Sequence, residues 1–92
     1  MRVAGRIREK LTRMLHPERL DIVDESHLHI GHPGARPQGE SHFRVEIVAA
    51  AFEGQSKVAR QRQVYGILAD ELRTDVHALS LVTLTPTEDA RR

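Results

Sequence analysis

Cysteine is absent from the 92 residues of the chain. This absence excludes an internal disulfide, a CxxC redox pair, a thiolate nucleophile and an iron–sulfur cluster held by the chain's own thiolates alone. A metal bound by the chain would therefore take histidine or carboxylate side chains as its protein ligands.

Aromatic residues, net charge and long apolar runs are scarce as well. The chain has one tyrosine, two phenylalanines and no tryptophan, and its formal net charge is +1 with the histidines neutral. The core must then be mostly aliphatic, and the overall charge does not require a polyanionic partner. No apolar run approaches the roughly 20 residues that span a bilayer, and no signal peptide is visible. We therefore expect a soluble cytoplasmic protein that does not bind membranes.

The remaining composition suits one small globular domain. Hydrophobic residues make up 39% of the chain and charged residues 29%, and a chain of this length has room for a single core. We predict one domain over residues 1–92.

Residues 43–72 carry the strongest pattern. Apolar side chains alternate over residues 43–49, which predicts a strand with one buried face. Ser56 then caps a predicted long helix that ends near Asp75, and Gly66 inside this helix suggests the close approach of another backbone. The apolar stripe of the helix comprises Val58, Val64, Tyr65, Leu68, Ala69 and Leu72.

The N-terminal part predicts a helix and a short strand. Apolar residues recur at helical spacing over residues 3–15 until Pro17 stops the pattern, and residues 20–23 alternate as a strand does. The arginine-rich start also resembles an organelle transit peptide. We prefer a structural first helix with a solvated basic face, because so short a chain has little core to spare.

The C-terminal part predicts a third strand over residues 76–84. Thr85, Pro86 and Glu88 then match the cap, N1 and N3 positions of a helix, so residues 86–92 form a short terminal helix or a frayed tail. The resulting order is α-β-β-α-β with a short last helix. This order predicts an α+β two-layer domain, with a three-stranded mixed sheet and helices on one of its faces.

A loop rich in histidine, glycine and proline is predicted over residues 27–42. Loops of this length in a compact domain are usually functional or disordered. His27, His29 and His32 are either metal ligands or, as is commoner for loop histidines, solvated side chains. His42 directly precedes the strand core, so we interpret it as structural or as a hydrogen-bonding support for a ligand.

Several short motifs resemble, in the same order, the signature of the BolA family. They are Asp24-Glu25-Ser26, Glu40-Ser41-His42-Phe43, Phe52-Glu53-Gly54-Gln55-Ser56, Arg60-Gln61-Arg62, Leu68-Ala69-Asp70-Glu71-Leu72 and Val76-His77-Ala78-Leu79-Ser80. The resemblance covers most of the chain. The family pattern often has histidine at the position of Gln61, so no role of that histidine is transferred to this chain.

This resemblance implies a fold like the class II KH domain and partnership with a monothiol glutaredoxin. In the heterodimer, glutaredoxin and glutathione would supply thiolates to a shared [2Fe–2S] cluster, and this chain would supply His77 and a loop histidine. The family position favours His32, with His29 as the alternative. The implied roles are iron–sulfur trafficking and iron or stress regulation. We expect the isolated chain to hold no cofactor tightly and to be a monomer or a weak homodimer.

Nucleic-acid binding is the second hypothesis, since the resemblance also implies a link to transcription. Gly54 and Ser56 at a helix start, followed by Lys57, Arg60 and Arg62, would approach phosphates or dock an acidic partner. The near-neutral charge, the few aromatics and the incomplete GXXG motif argue against more than weak DNA binding.

Enzymatic activity is the least supported class. Glu25, Ser26 and the loop histidines offer an acid, a hydroxyl and a base. However, nothing in the sequence fixes a geometry between nucleophile and base or defines an oxyanion site. We therefore predict that the chain is not an enzyme.

Overall fold

The computed structural model describes residues 2–26 and 40–92. In these ranges the elements are α1 (Val3–Leu15), β1 (Arg19–Asp24), β2 (His42–Val48), a 3-10 turn (Ala50–Phe52), α2 (Lys57–Ile67), α3 (Ala69–Thr74), β3 (Ala78–Leu84) and α4 (Pro86–Ala90). The α+β architecture predicted from the sequence is confirmed.

The sheet has three strands in the order β1-β2-β3. Strand β1 is antiparallel to β2, with Leu20 opposite Ile47. Strand β3 is parallel to β2, with Val45 opposite Leu81. Because parallel neighbours need a crossover, α2 and α3 occupy the connection between β2 and β3. The predicted mixed sheet is thus confirmed.

The core lies between one face of the sheet and the helices. Phe43, Val45 and Ile47 point from β2 into it, as their alternation predicts, and at most 2% of each residue is exposed. Helix α1 covers them with Val3, Ile7, Leu11 and Leu15. Val64, Leu68 and Val76, from the connection between β2 and β3, belong to the same core. Each large aliphatic side chain buried in this way contributes about 1.5–3 kcal/mol of transfer free energy.

The long helix predicted after Ser56 is interrupted, so that prediction is wrong in its continuity. Leu68 separates α2 from α3 and has φ −98° and ψ 19°, outside the α-helical region. Gly66 lies two residues earlier, where its low helix propensity weakens the run. A Cβ placed on Gly66 would meet nothing within 4 Å. The predicted close approach of another backbone is therefore wrong as well.

The predicted stripe of this helix is also wrong at two positions. Val58 is 58% exposed and Ala69 is exposed as well, whereas Val64 and Leu68 are buried. Two charged residues take buried places in α2 and α3 instead, namely Arg60 and Glu71. Both are paired with opposite charges, which is the condition under which charged side chains are usually buried.

Glu71 joins α3 to α1. Its carboxylate accepts a hydrogen bond of 3.0 Å from Lys10 Nζ, and Arg6 Nε lies 3.8 Å from its second oxygen. Arg6 also forms an ion pair with Asp75 directly after α3. The basic side chains of α1 near α3 are thus partly structural rather than only a solvated face.

Helix α4 confirms the predicted terminal helix and its capping box. Thr85 Oγ1 accepts a hydrogen bond from the Glu88 N–H, and the Glu88 carboxylate accepts one from the Thr85 N–H. Asp89 accepts a hydrogen bond of 2.7 Å from Arg19 of β1. The helix is thereby anchored to the sheet rather than frayed.

Two predicted boundaries differ from the structure, at the first residues of β2 and β3. His42 belongs to β2, because it is opposite Ala78 in the parallel ladder, so the predicted loop cannot extend to residue 42. Strand β3 begins at Ala78, two residues later than predicted. Residues 27–39 of the predicted loop lie outside the described residues. Within residues 2–26 and 40–92, no helix is long and apolar enough to cross a bilayer.

Candidate metal-ligand site around His77

His77 occupies the connection between α3 and β3, and its side chain is exposed. Val76 precedes it with only 4% of its surface exposed, and its N–H donates to the Glu71 carbonyl over 2.8 Å. The His77 N–H donates to the Ser41 carbonyl over 2.7 Å. An exposed imidazole is therefore carried on a backbone that is anchored on both sides.

Ser41 links His77 to the beginning of β2. Its carbonyl oxygen also accepts the N–H of Ala78 over 3.2 Å, so one peptide oxygen holds two successive residues of the β3 entry. The Ser41 residue is completely buried. Its position thus determines where β3 starts relative to β2.

Ser26 in turn holds the Ser41 backbone. Its Oγ accepts the N–H of Ser41 over 2.9 Å and the N–H of His42 over 3.1 Å. Only 4% of Ser26 is exposed. A buried hydroxyl from the end of β1 therefore satisfies two backbone donors at the start of β2.

His42 lies beneath His77. Its residue is 5% exposed, and its Nδ1 is 2.8 Å from Ser41 Oγ. The centroids of the His42 and His77 rings are 5.2 Å apart, and the ring planes are inclined by 48°. This burial agrees with the interpretation of His42 as structural or as a support for a ligand.

Asp24 connects the two segments of the chain that flank residues 27–39. One carboxylate oxygen accepts the N–H of Ser26 and the other accepts the N–H of Glu40, each over 2.9 Å. Burial acts to raise the pKa of Asp24, but the hydrogen bonds from Ser26 and Glu40 outweigh it, and the pKa is lowered. The ionised carboxylate is therefore the form that closes this stem.

Glu40 extends the connection to the first helix. Its carboxylate accepts the N–H groups of Val3 and Ala4 over 3.3 Å each, and Arg2 Nε lies 3.4 Å from it. Free N–H groups at a helix start favour such a carboxylate. The start of α1 and the entry to β2 are thus held together.

A small cavity opens beside the paired histidines. Its volume is about 210 Å³, and its lining comprises Glu25, His42, Phe43, Ala78, Leu79 and Ser80. Three of these residues are polar, namely Glu25, His42 and Ser80, but most of the surface that lines the cavity is apolar.

The residues that could ligate a metal divide between the described ranges and residues 27–39. Within the described ranges, no group of three or more histidine, cysteine, aspartate or glutamate side chains could hold a metal ion. The exposed imidazole of His77 therefore fits a single donor to a shared group better than a member of a complete site among these residues. His32 and His29, the predicted loop ligands, and His27 lie outside the described residues.

The basic helix start is divided between exposed and buried residues. Lys57 and Arg62 are exposed, as are Gly54 with φ +80° and Ser56, whose Oγ accepts the Ala59 N–H and caps α2. The Lys57 Nζ also donates to the Thr83 carbonyl over 2.9 Å. Of the predicted contact residues, these four lie on the surface.

Arg60 does not share that surface, so its expected exposure is wrong. It is only 5% exposed, and its guanidinium donates to the Glu88 carboxylate and to the carbonyls of Gln55 and Thr83. It also lies 5.8 Å from the centre of the Phe52 ring. These contacts account for a positive charge near a helix start, where the helix dipole alone disfavours it.

Ser26 and Ser41 are site residues whose supporting role was missed from the sequence, which offered Ser26 only as a hydroxyl for an enzyme and left Ser41 without a role. Both occur in motifs that carried the family resemblance, Asp24-Glu25-Ser26 and Glu40-Ser41-His42-Phe43. The available signal in the sequence was that each serine directly precedes a histidine, Ser26 before His27 and Ser41 before His42. Their connection through space could not be read from positions 15 residues apart in the chain.

The fold and the site together define a class: a small α+β domain with a three-stranded mixed sheet that presents an exposed histidine at the entry to its parallel edge strand. A family model described as BolA-like protein matches residues 11–88. The chain belongs to this family.

Relatives of known name support this membership. The chain is 44% identical over 85 residues to the DNA-binding transcriptional regulator BolA of Escherichia coli, covering 92% of this chain and 77% of that protein. It is 49% identical over 87 residues to the chloroplastic protein BOLA1 of Arabidopsis thaliana, covering 92% of this chain and 54% of the relative. The chain thus spans about half the length of that second relative.

Solved structures agree with the fold. BolA1 from Arabidopsis thaliana superposes with a TM-score of 0.85 at 45% identity, with 96% of each chain covered. The BolA domain of SufE1 from the same plant gives a TM-score of 0.82 at 48% identity, covering 91% of this chain and 92% of that one. The domain therefore also occurs as part of a larger protein.

Proposed function

We propose that this chain is an adaptor that shares a [2Fe–2S] cluster with a monothiol glutaredoxin and glutathione. The observation that carries the proposal is the placement of His77, an exposed imidazole on a backbone fixed by hydrogen bonds to Ser41 and anchored by buried Val76. Such an imidazole reaches outward to a partner without moving the core. The resemblance to the BolA family supports a role of this adaptor in iron–sulfur trafficking or in iron and stress regulation.

The donor chemistry fits a shared site. This chain has no thiolate to offer, so the sulfur ligands come from the partner and from glutathione. Imidazole ligands on one iron raise the reduction potential relative to an all-thiolate cluster. His77 is the ligand next to β3, and the loop ligand is His32, with His29 as the alternative. The isolated chain accordingly holds no cofactor tightly, acts in the cytoplasm and is not an enzyme.

Reconstitution with the partner tests this proposal. The full chain, a monothiol glutaredoxin and glutathione are combined with iron and sulfide, and the cluster is followed by visible absorption and circular dichroism. We expect His77→Ala to change the circular dichroism spectrum and to lower the yield of the heterodimeric cluster. His32→Ala and His29→Ala, measured in parallel, identify the loop ligand by the larger change.

His16 provides a matched control. It is exposed and ends α1 in the left-handed region at φ 46°, a conformation that asparagine also tolerates. We expect His16→Asn to give the native spectrum. If His77→Ala and both loop variants also give the native spectrum, the proposed ligand set is wrong.

DNA binding is the second candidate function. The observation that favours it is the name of the Escherichia coli relative, a DNA-binding transcriptional regulator that is 44% identical to this chain. Arg62 in α2 is an exposed cation that could contact phosphates, whereas Lys57, also exposed, already donates to the Thr83 carbonyl and lies 3.8 Å from Glu88. Arg60 is committed to Glu88 and contributes nothing to this surface.

Salt-dependent binding to a DNA duplex separates the two functions. Without glutaredoxin, we expect Arg62→Gln to weaken binding and to reduce the slope of log K against log salt by about one phosphate contact. Arg91→Gln removes the same charge from an exposed position after α4 and serves as the control. Equal binding by the native chain and both variants would remove α2 as the DNA contact.

A further inference from the structure

Two backbone hydrogen bonds converge on one buried oxygen next to the proposed ligand. Ser26 Oγ accepts the N–H groups of Ser41 and His42. A hydroxyl oxygen has two acceptor lone pairs, so both are used by these bonds. The hydroxyl proton of Ser26 is then left for the Asp24 carboxylate, whose pKa a hydrogen bond from the Ser26 side chain helps to lower, or for Ser41 Oγ, which lies 3.3 Å away.

The contacts continue from Ser41 to His77 by two routes. Through the backbone, the Ser41 carbonyl accepts the N–H of His77 over 2.7 Å. Through the side chains, Ser41 Oγ lies 2.8 Å from His42 Nδ1, and the His42 ring adjoins the His77 ring. No hydrogen bond among the described residues joins Ser26 directly to His77, yet both routes start at the Ser26 hydroxyl.

The location of Ser26 makes it the fixed point of this arrangement. It is 4% exposed and lies two residues after the end of β1, and its own N–H donates to the Asp24 carboxylate. His77, in contrast, lies in a connection outside the regular ladder. The backbone sets the position from which an exposed side chain extends, neighbouring groups restrict its rotamers, and ligand geometry tolerates little displacement.

We propose that Ser26 is a positioning residue for His77, acting through the Ser41 peptide and the His42 ring. This inference rests on the proposed function for its meaning, since it makes Ser26 the residue that orients the ligand toward the shared cluster. Its structural part, the control of the His77 backbone and ring, is measurable in the free chain.

The test compares Ser26→Ala with Ser26→Thr, which restores the hydroxyl. Hydrogen exchange of individual amides is measured by NMR in the free full-length chain. In Ser26→Ala we expect the amides of Ser41, His42 and His77 to exchange roughly tenfold faster, as the loss of a net hydrogen bond predicts. Nuclear Overhauser contacts between the His42 and His77 rings are expected to weaken. Ser26→Thr is expected to recover part of both signals.

Thr85→Ala is the matched structural control. It removes a hydroxyl that caps α4, so it lowers the melting temperature. It leaves the hydrogen bonds that connect Ser26 to His77 through Ser41 and His42 unchanged. We expect native exchange at His77 and native ring contacts in this variant. Equal acceleration in Thr85→Ala and Ser26→Ala would show that general destabilisation causes the effect, and would overturn the proposal.

The heterodimer supplies the second readout. With glutaredoxin and glutathione, we expect the visible circular dichroism of Ser26→Ala to shift from the native spectrum toward that of His77→Ala, while Thr85→Ala keeps the native spectrum. A native spectrum together with native exchange in Ser26→Ala would overturn the positioning role. If the native chain forms no cluster, the proposed function fails, and unchanged exchange at His77 in Ser26→Ala would then reject the positioning role separately.

The free native chain offers a test that does not depend on the folding of any variant. If Ser26 fixes this region, the amides of Ser41, His42 and His77 must be protected together. Exchange of the His77 amide at the rate of an unstructured peptide would overturn the proposal, whatever the variants do.

Discussion

Arg60 and Glu88 join the first turn of α2 to α4 through two hydrogen bonds, from Nη1 to Oε1 over 2.7 Å and from Nη2 to Oε2 over 3.2 Å. The same Nη1 donates to the Thr83 carbonyl over 3.1 Å at the end of β3. A planar guanidinium is suited to such paired contacts, and its fixed geometry adds specificity. One side chain therefore holds a helix, a strand and the terminal helix together.

Arg60→Gln should lower the free energy of unfolding by about 1–3 kcal/mol, because it leaves the Glu88 carboxylate and the Thr83 carbonyl without a charged donor. The measurement is urea unfolding at neutral pH. Arg62→Gln, on the exposed side of the same helix, should change stability by less than about 0.5 kcal/mol. Similar losses in the two variants would contradict the structural role of Arg60.

Acid should weaken the anchoring of α4. The hydrogen bonds from Arg60 and from the Thr85 N–H lower the pKa of Glu88 from 4.5 to about 2. Because the pKa is lower in the folded state, the stability contributed by this group is present above about pH 4.5 and is lost as the pH falls toward 2. The melting temperature of the native chain should exceed that of Glu88→Gln at neutral pH, and the difference should shrink on acidification. Glu53→Gln, at an exposed site, is the control. A difference that stays constant with pH would argue against this ion pair.

Glu71→Gln should destabilise the contact between α1 and α3. Only 3% of Glu71 is exposed, and Lys10 and Arg6 face its carboxylate. Removing the negative charge should cost about 1–3 kcal/mol in urea unfolding, since Lys10 loses its nearest carboxylate and Arg6 loses one of its two carboxylate partners. Asp70→Asn changes the neighbouring, mostly exposed carboxylate and should cost less than about 0.5 kcal/mol. An equal effect of both substitutions would show that the buried ion pairs of Glu71 do not account for the stabilisation.

Gly66→Ala should stabilise the chain by about 0.5–1 kcal/mol. Gly66 lies within α2, and a Cβ there meets nothing within 4 Å, so alanine gains helix propensity without a clash. Gly54→Ala should have the opposite sign, because Gly54 has φ +80° and alanine is strained in that region. Paired urea titrations of the two variants provide the measurement. A loss of stability in Gly66→Ala would indicate that the interruption at Leu68 needs glycine.

The fold was largely predictable because its signals are local and periodic. The alternation of Phe43, Val45 and Ile47 indicated which face of β2 is buried, and Thr85 with Glu88 indicated the start of α4. The sequence also suggested that β3 pairs with β2 in parallel, since a helix separates them. These inferences depend on spacing within one element or on the type of connection between two.

Two of the errors arose where charges distant in sequence meet. Arg60 in the sequence has the same character as Arg62, and only the arrival of Glu88 at the end of the chain makes one of them buried. Likewise, the stripe of one long helix could not reveal that Glu71 takes a buried place opposite Lys10. The candidate site shows the same division. The family resemblance indicated His77, but the support from Ser26 through Ser41 became visible only in three dimensions.

The carboxylate of Asp24 bonds the amides of Ser26 and Glu40, which lie on either side of residues 27–39. These two hydrogen bonds do not depend on how many residues lie between Ser26 and Glu40. Because closure entropy rises only with the logarithm of length, doubling such a segment costs about 0.6 kcal/mol. Substitution of the histidines between these two ends should therefore leave the Asp24 contacts intact. For the proposed function, the choice of the loop ligand is thereby separable from the folding of the domain.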